Sequence, residues 1–248
     1  MERAVIRVSG GEPAKFLQSL VSNDTGALAR GQMVYAALLT PQGKYLVDFF
    51  LLPDGDDVLV DVSAALAEEL LKRLSMYKLR APITLSREDM PVSRGTGPAP
   101  EGAFCDPRHP SLGWRFYGQA LGDDGTDWDA LRAAHCIPET GIELIPNETF
   151  ILEAGFARLN GVDFKKGCYV GQEVTARMHH KTALRKGLVS VGIDGEAPIG
   201  TAIMAGEKPA GTLYTQAGGQ AIAHLRFDRA APEMRADAAR IFWSGEAG

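Results

Sequence analysis

The 248 residues contain no C-x-x-C pair, and the five histidines offer no i, i+4 pair, since only His179 and His180 adjoin. A zinc or iron–sulfur site built by this chain alone therefore has poor support. Three cysteines, Cys105, Cys136 and Cys168, are odd in number and widely spaced, which argues against a disulfide framework. No stretch approaches the roughly 20 apolar residues of a membrane helix; the densest runs are Val34–Leu39 and Tyr45–Leu52. The first eight residues alternate like a strand and lack the apolar region of a signal peptide. The expectation is a cytosolic protein, unless a targeting segment has been removed. Gly10-Gly11 and Gly95-Thr96-Gly97 match neither a phosphate loop nor a dinucleotide fingerprint. A net charge of -5 speaks against a direct nucleic-acid binder.

What is present is ordinary globular material, 45% hydrophobic and 23% charged, in a chain long enough for one to three compact units. Strand Val5–Val8 precedes a helix starting near Pro13, with Phe16, Leu17, Leu20 and Val21 on one face. Strands Met33–Leu39 and Tyr45–Leu52 flank the turn Thr40-Pro41-Gln42-Gly43-Lys44. Strand Val58–Val62 leads through Ser63 as N-cap into a helix carrying Leu66, Leu70, Leu71 and Leu74, and Leu79–Leu85 reads as a closing strand. This order predicts an antiparallel α+β layer. Residues 91–102, with three prolines and three glycines, read as a connection. Strand Leu112–Tyr117 and a helix from Asp127 to about His135, stopped by Pro138, follow. Beyond Leu184, short alternating stretches (Gly187–Ile193, Thr201–Met204, Ala210–Tyr214, Gln220–Phe227, Ala238–Trp243) predict a small β-barrel or sandwich.

One stretch stands apart. Lys166-Gly167-Cys168-Tyr169-Val170-Gly171-Gln172-Glu173 sets a thiol between glycines, within a segment from Arg158 to Lys186 that holds seven basic residues against two acidic ones. A local reversal of charge of that size reads as an anion site. Cys168 is a candidate nucleophile, its pKa lowered by Lys165 and Lys166, with His179 or His180 as base; the plain alternative is a small half-buried thiol chosen for fit. Lys166, Arg177 and Arg185 are candidate ligands for carboxylate or phosphate, against a solvated basic face. Trp128 offers an aromatic plane for stacking on a heterocycle, or equally a core anchor. Asp106-Pro107-Arg108-His109-Pro110 reads as a rigid structural turn.

The run from Gly161 to Arg177 resembles the signature of the YgfZ family, folate-binding proteins related to the aminomethyltransferase of the glycine cleavage system. Phe16-Leu17-Gln18-Ser19-Leu20-Val21-Ser22-Asn23-Asp24, Thr40-Pro41-Gln42-Gly43-Lys44, Asp106-Pro107-Arg108 and Leu112-Gly113-Trp114-Arg115 extend the resemblance to about Arg185. It implies an α+β fold of two intertwined antiparallel lobes over residues 1–183, followed by a small β-barrel over 184–248. It implies tetrahydrofolate as cofactor, no resident metal, and assistance to the assembly or repair of iron–sulfur enzymes, including radical enzymes that modify tRNA. Lys166 and Cys168 match positions important for that activity: Cys168 as the redox- or transfer-active thiol, Lys166 as the lysine that keeps it a thiolate or grips an anion. Trp128 matches a folate-contacting tryptophan, and Tyr169, Gln172, Glu173 and Arg177 are the further candidate folate residues. A second folate tryptophan of some relatives falls near Arg3, which is not tryptophan here. The implied partners are folate and iron–sulfur proteins or carriers, for a protein read as a monomer. Two other readings stand beside this one. A glycine-cleavage aminomethyltransferase needs an acid beside the folate, for which the matching stretch is Val60-Asp61-Val62-Ser63-Ala64-Ala65. The other is a non-catalytic scaffold for iron–sulfur carriers.

Overall fold

A computed structural model describes residues 2–181 and 184–245. Two compact units emerge, one of Met1–Thr126 with Leu159–Val174, the other of Asp127–Arg158 with Thr175–Gly248.

The first unit is built on a five-stranded antiparallel sheet from β1 (Arg3–Ser9), β2 (Val34–Leu39), β3 (Tyr45–Asp54), β4 (Asp57–Ser63) and β5 (Thr84–Glu88), in the order β2-β3-β4-β1-β5. Side chains alternate across each strand. Ile6, Val8, Val34, Ala36, Leu38, Val47, Phe49, Leu51, Val58, Val60 and Val62 fall on one face, where they form a core with Leu17 of α1 (Pro13–Gln18) and with Leu70 and Leu74 of α2 (Ala67–Lys78). The opposite face carries Arg3, Tyr35, Asp48, Phe50 and Asp61, and it too is largely covered. That explains why β2 and β3 read as continuous apolar runs in the sequence.

A three-stranded sheet completes this unit: β6 (Val92–Gly95), β7 (Phe104–Cys105) and β8 (Trp114–Tyr117), ordered β6-β8-β7. β6 falls inside the stretch expected to be a plain connection. Two further expectations change. Leu79 does not begin a strand; it ends α2 with φ 44° and is 85% exposed, and β5 starts only at Thr84. Ser63 is the last residue of β4 and makes no side-chain cap, because a 3-10 turn over Ala64–Leu66 comes before α2.

In the second unit α3 (Trp128–His135) begins on Asp127, whose carboxylate accepts from Ala130 N at 2.9 Å. Cys136 in left-handed conformation ends it, so the stop comes two residues before Pro138. Helix α4 (Gln172–Lys181) was not foreseen; its mixture of His, Thr and charged residues hides the period. The barrel is closed: β9 (Lys186–Asp194), β10 (Ala202–Ala205), β11 (Lys208–Ala217), β12 (Gln220–Arg226), β13 (Glu233–Ala236) and β14 (Ala239–Phe242), ordered β10-β11-β12-β9-β14-β13 with β13 returning to β10. Val189, Val191, Ile203, Leu213, Leu225, Met234 and Ile241 fill its interior. Closure leaves no sheet edge open to another chain. Arg132 ties α3 to this unit, donating to Glu143 Oε2 at 2.6 Å, to Thr215 Oγ1 at 3.2 Å and to the Ile137 carbonyl at 3.1 Å. Among the described residues no helix is long and apolar enough to cross a membrane.

Candidate functional site

The cysteine motif in the first unit is held against the exit of α1. Ser22 Oγ donates to the Gly161 carbonyl at 2.6 Å, and the Asp163 amide donates back to the Ser22 carbonyl at 3.1 Å. Asn23 Nδ2 donates to the carbonyls of Tyr35 and Asn160, at 2.9 and 2.7 Å. Asp163 Oδ1 then accepts from the amides of Lys165 and Lys166, at 2.6 and 3.2 Å, bending the chain into the motif.

Lys166 turns inward and is only 8% exposed. Its Nζ donates to the carbonyl oxygens of Gln18, Val21 and Asn23 at 2.8, 2.6 and 2.9 Å. The same ammonium lies 5.1 Å from the centroid of the buried Tyr169 ring. An ammonium has three protons, and all three are engaged. The cation is turned to the protein's own main chain. Burial pushes Lys166 down to about 8, against the charges of Asp24 and Asp163, which raise it. The carbonyls also favour the charged form, because a neutral amine has two protons for three acceptors.

Beyond the clamp, Gly167 and Cys168 are exposed. The chain re-enters at Tyr169 and reaches Gly171, whose φ of +84° belongs to glycine; a Cβ there would lie 2.5 Å from the Thr40 carbonyl oxygen. A Cβ added at Gly43, in that hairpin, would likewise lie 2.8 Å from Val174 Cβ. The hairpin Thr40–Lys44 thus seats the far end of the thiol loop. Gln172, half-buried, begins α4; Glu173 and Arg177 are exposed along it. His179 and His180 are also exposed there, with ring centroids 4.7 Å apart. Lys165 is exposed, and Lys186 lies 3.3 Å from Glu153. Trp128 is the half-buried first residue of α3, in the second unit. Lys166, Cys168, Tyr169, Gln172 and Glu173 therefore share the first unit, while Trp128 and Arg177 belong to the second. Among the described residues no group of three or more His, Cys, Asp or Glu is placed to hold a metal ion.

A buried charge network on the second face of the five-stranded sheet was not anticipated. Asp61, fully buried, accepts from Arg3 Nε at 2.6 Å, Arg115 Nη1 at 3.1 Å and Tyr117 Oη at 2.7 Å. Asp106 accepts from Arg115 Nε at 3.1 Å and Arg108 Nη2 at 2.7 Å. The Phe50 ring lies beneath all three guanidiniums, Arg115 nearest at 3.9 Å from the centroid. Beside it Asp48 accepts from the hydroxyls of Tyr35 and Tyr45 at 3.0 and 2.7 Å. Burial alone would raise Asp106, but Arg108 and Arg115 outweigh it and hold the carboxyl well below the usual range. The turn Asp106–Pro110 is thus structural, as its sequence indicated, and the Arg3 position is taken up by an ion pair.

Comparison with known proteins follows this geometry. The chain is similar in fold to a crystal structure of glycine cleavage system aminomethyltransferase T from Bartonella henselae, with a TM-score of 0.74, at 16% identity, over 97% of this chain and 82% of that one. Residues 185–245 match the CAF17 C-terminal beta-barrel domain. The class is therefore an aminomethyltransferase-type α+β fold closed by a C-terminal β-barrel. Within it, the chain is 32% identical to the mitochondrial iron-sulfur cluster assembly factor IBA57 of Mus musculus, over 90% of this chain and 72% of that protein. It is 30% identical to the Homo sapiens factor with the same coverage, and 33% identical to the Mycosarcoma maydis homolog over 75% of this chain and 54% of that one. The chain belongs to the family of the iron-sulfur cluster assembly factor IBA57. The expectation of a cytosolic protein is corrected by these relatives, which are named as mitochondrial; lack of a secretory apolar segment never bore on that compartment.

Proposed function

We propose that this protein, in the manner of the YgfZ family, binds tetrahydrofolate and assists the assembly or repair of iron–sulfur enzymes, tRNA-modifying radical enzymes among them. The observation that carries this reading is the exposed Cys168 on a short loop fastened at both ends, in a chain of the iron–sulfur assembly family. A thiol held in the open is suited to exchange with a partner protein or to a transient role in handling sulfur or iron. Its partners are iron–sulfur proteins or carriers.

Each candidate residue carries chemistry that a folate uses. In the first unit the exposed Lys165 is a cation suited to an anionic glutamate tail, and Gln172 and Glu173 are an amide and a carboxylate suited to polar ring atoms. In the second unit Trp128 is a half-buried aromatic face suited to a pterin, and Arg177 is a further exposed cation. When bound, the folate supplies a one-carbon carrier or a reduced heterocycle. Cys168 remains the residue that meets a client, and Tyr169 lines the base of the loop.

Titration calorimetry with tetrahydrofolate polyglutamate tests the binding half, and no saturable heat at sub-millimolar ligand retires it. Cys168→Ala, expressed in a strain lacking its own homologue, tests the other half through tRNA methylthiolation; full rescue would reduce the thiol to a packing residue. The aminomethyltransferase reading draws little support from Asp61, whose two oxygens already accept from Arg3, Arg115 and Tyr117. It predicts tetrahydrofolate-dependent release of methylene-folate from aminomethylated H protein, for which no turnover is expected.

A further inference from the structure

Two separate sequence runs, Phe16–Asp24 and Gly161–Arg177, meet at one point in the first unit. Where α1 ends, its chain turns so that the carbonyls of Gln18, Val21 and Asn23 converge. Helix ends leave carbonyls without intrahelical partners, and buried ones need a donor. Lys166 Nζ supplies one proton to each, at 2.6 to 2.9 Å. The number of donors and the number of acceptors match, and the lysine stem is carried inward by the Asp163 turn.

Two residues further on stands the exposed thiol. A Cβ added at Gly167 would meet no heavy atom within 4 Å, so no neighbour among the described residues packs against that side of the loop. Glycine also leaves the widest conformational choice. The buried anchors stand at the two ends: Lys166 on one side, Tyr169 and the close packing of Gly171 against the Thr40–Lys44 hairpin on the other.

We propose that Lys166 is a positioning residue for Cys168, its ammonium seated among the carbonyl oxygens of Gln18, Val21 and Asn23 so that the loop displays the thiol in one place. The Phe16–Asp24 run is then the socket of the cysteine motif, which accounts for the two runs occurring together. A guanidinium is planar with donors in a fixed fork, so arginine does not satisfy three converging carbonyls. Methionine keeps the stem's apolar packing and leaves all three oxygens without a donor. The biological weight of this inference rests on Cys168 being the working thiol, whereas its geometry is testable without that reading.

The test attaches a nitroxide to Cys168 of the full chain in a Cys105→Ser background, Cys136 being buried. Lys166→Met, Lys166→Arg and Lys166→Ala are compared with the parent at a temperature where circular dichroism shows every variant folded. The parent is expected to give a slow, immobilised spectrum, and each variant a correlation time several-fold shorter. Propylammonium is expected to restore the slow spectrum in Lys166→Ala and not in Lys166→Met, whose side chain fills the channel. If Lys166→Met does not fold, Lys166→Ala refolded with propylammonium provides the same comparison. Parent-like spectra in Lys166→Met and Lys166→Arg overturn the proposal. A mobile label in Lys166→Ala that ignores propylammonium also overturns it, assigning the order to the stem instead of the charge. Full rescue of tRNA methylthiolation by Cys168→Ala leaves these spectra unaffected, so failure of the functional reading stays distinguishable from failure of the clamp.

Discussion

Lys166 Nζ stands 2.6 Å from the carbonyl oxygen of Val21, a residue 145 positions earlier in the chain. That contact joins the exit of the first helix to the base of the thiol loop. It makes the lysine part of the protein's frame, with Cys168 as the group presented to partners.

The three thiols separate by environment. Burial pushes Cys136 up to about 12, and Glu143 adds to this while Arg158 opposes it. Alkylation follows the thiolate and its access. Brief treatment of native protein with iodoacetamide near pH 8 is expected to modify Cys105 and Cys168 and spare Cys136. Peptide mass spectrometry reads the outcome, with all three modified after denaturation.

Asp61 closes a buried network with two guanidiniums and a phenol. Asp61→Ala leaves Arg3 and Arg115 short of a counter-charge, and removal of one member of a buried pair costs about 3–5 kcal/mol. Tyr117→Phe removes one hydrogen bond to a carboxylate and is expected to cost about 1.5–3 kcal/mol. Urea unfolding of the two variants beside the parent gives both values.

Acid stability follows from Asp106. Its carboxyl is held below the usual range in the folded protein, so the unfolded chain takes up the proton first as pH falls. The contribution is complete above the unfolded value of about 4. It is lost as pH drops from there through the depressed folded value. Asp106→Asn is expected to be less stable at pH 7 and to show a flatter stability profile below about pH 4, measured by thermal melts across that range.

Gly171→Ala places a methyl group 2.5 Å from a backbone oxygen at φ +84°. Strain of this kind costs about 1–3 kcal/mol where the backbone holds its course. The expected result is a lower melting temperature together with faster amide exchange across residues 163–171. A variant with unchanged exchange would show that the hairpin does not seat the loop.

Glu143→Ala tests the anchor of α3. Arg132, buried beside it, would lose its closest carboxylate, Thr215 would lose an acceptor, and the expected loss is again about 3–5 kcal/mol. The change in denaturation midpoint checks this, and Glu143→Gln is expected to recover part of the loss through its amide oxygen.

Much of the frame was legible because strands and the barrel announce themselves through alternation. Val58–Val62 and Gln220–Phe227 show it plainly, and both became strands within a residue or so of the reading. β13 escaped because Glu233-Met234-Arg235-Ala236 gives only two inward residues, too few to set a period. Leu79 misled because an apolar residue after a leucine-rich helix looks like the start of a strand, while the chain needs Ala81, Pro82 and Ile83 to turn. The site was half legible. Residue types exposed Cys168 and its basic setting, but the partners of Lys166 are carbonyl oxygens, which every residue carries and no letter distinguishes. The same holds for the ion network: Arg3, Asp61, Asp106 and Arg115 become neighbours only through the pairing of distant strands.

The first unit is not contiguous in the chain. Leu159–Val174 belongs to it, yet Asp127–Arg158 does not. During synthesis, Gln18, Val21 and Asn23 leave the ribosome long before the lysine that will occupy their socket. Closing so long a loop is slow and is rewarded only when the final contacts form. The thiol loop can therefore be fastened only after residues on both sides of the Asp127–Arg158 segment have been made, so its anchor joins the beginning of the unit to its end.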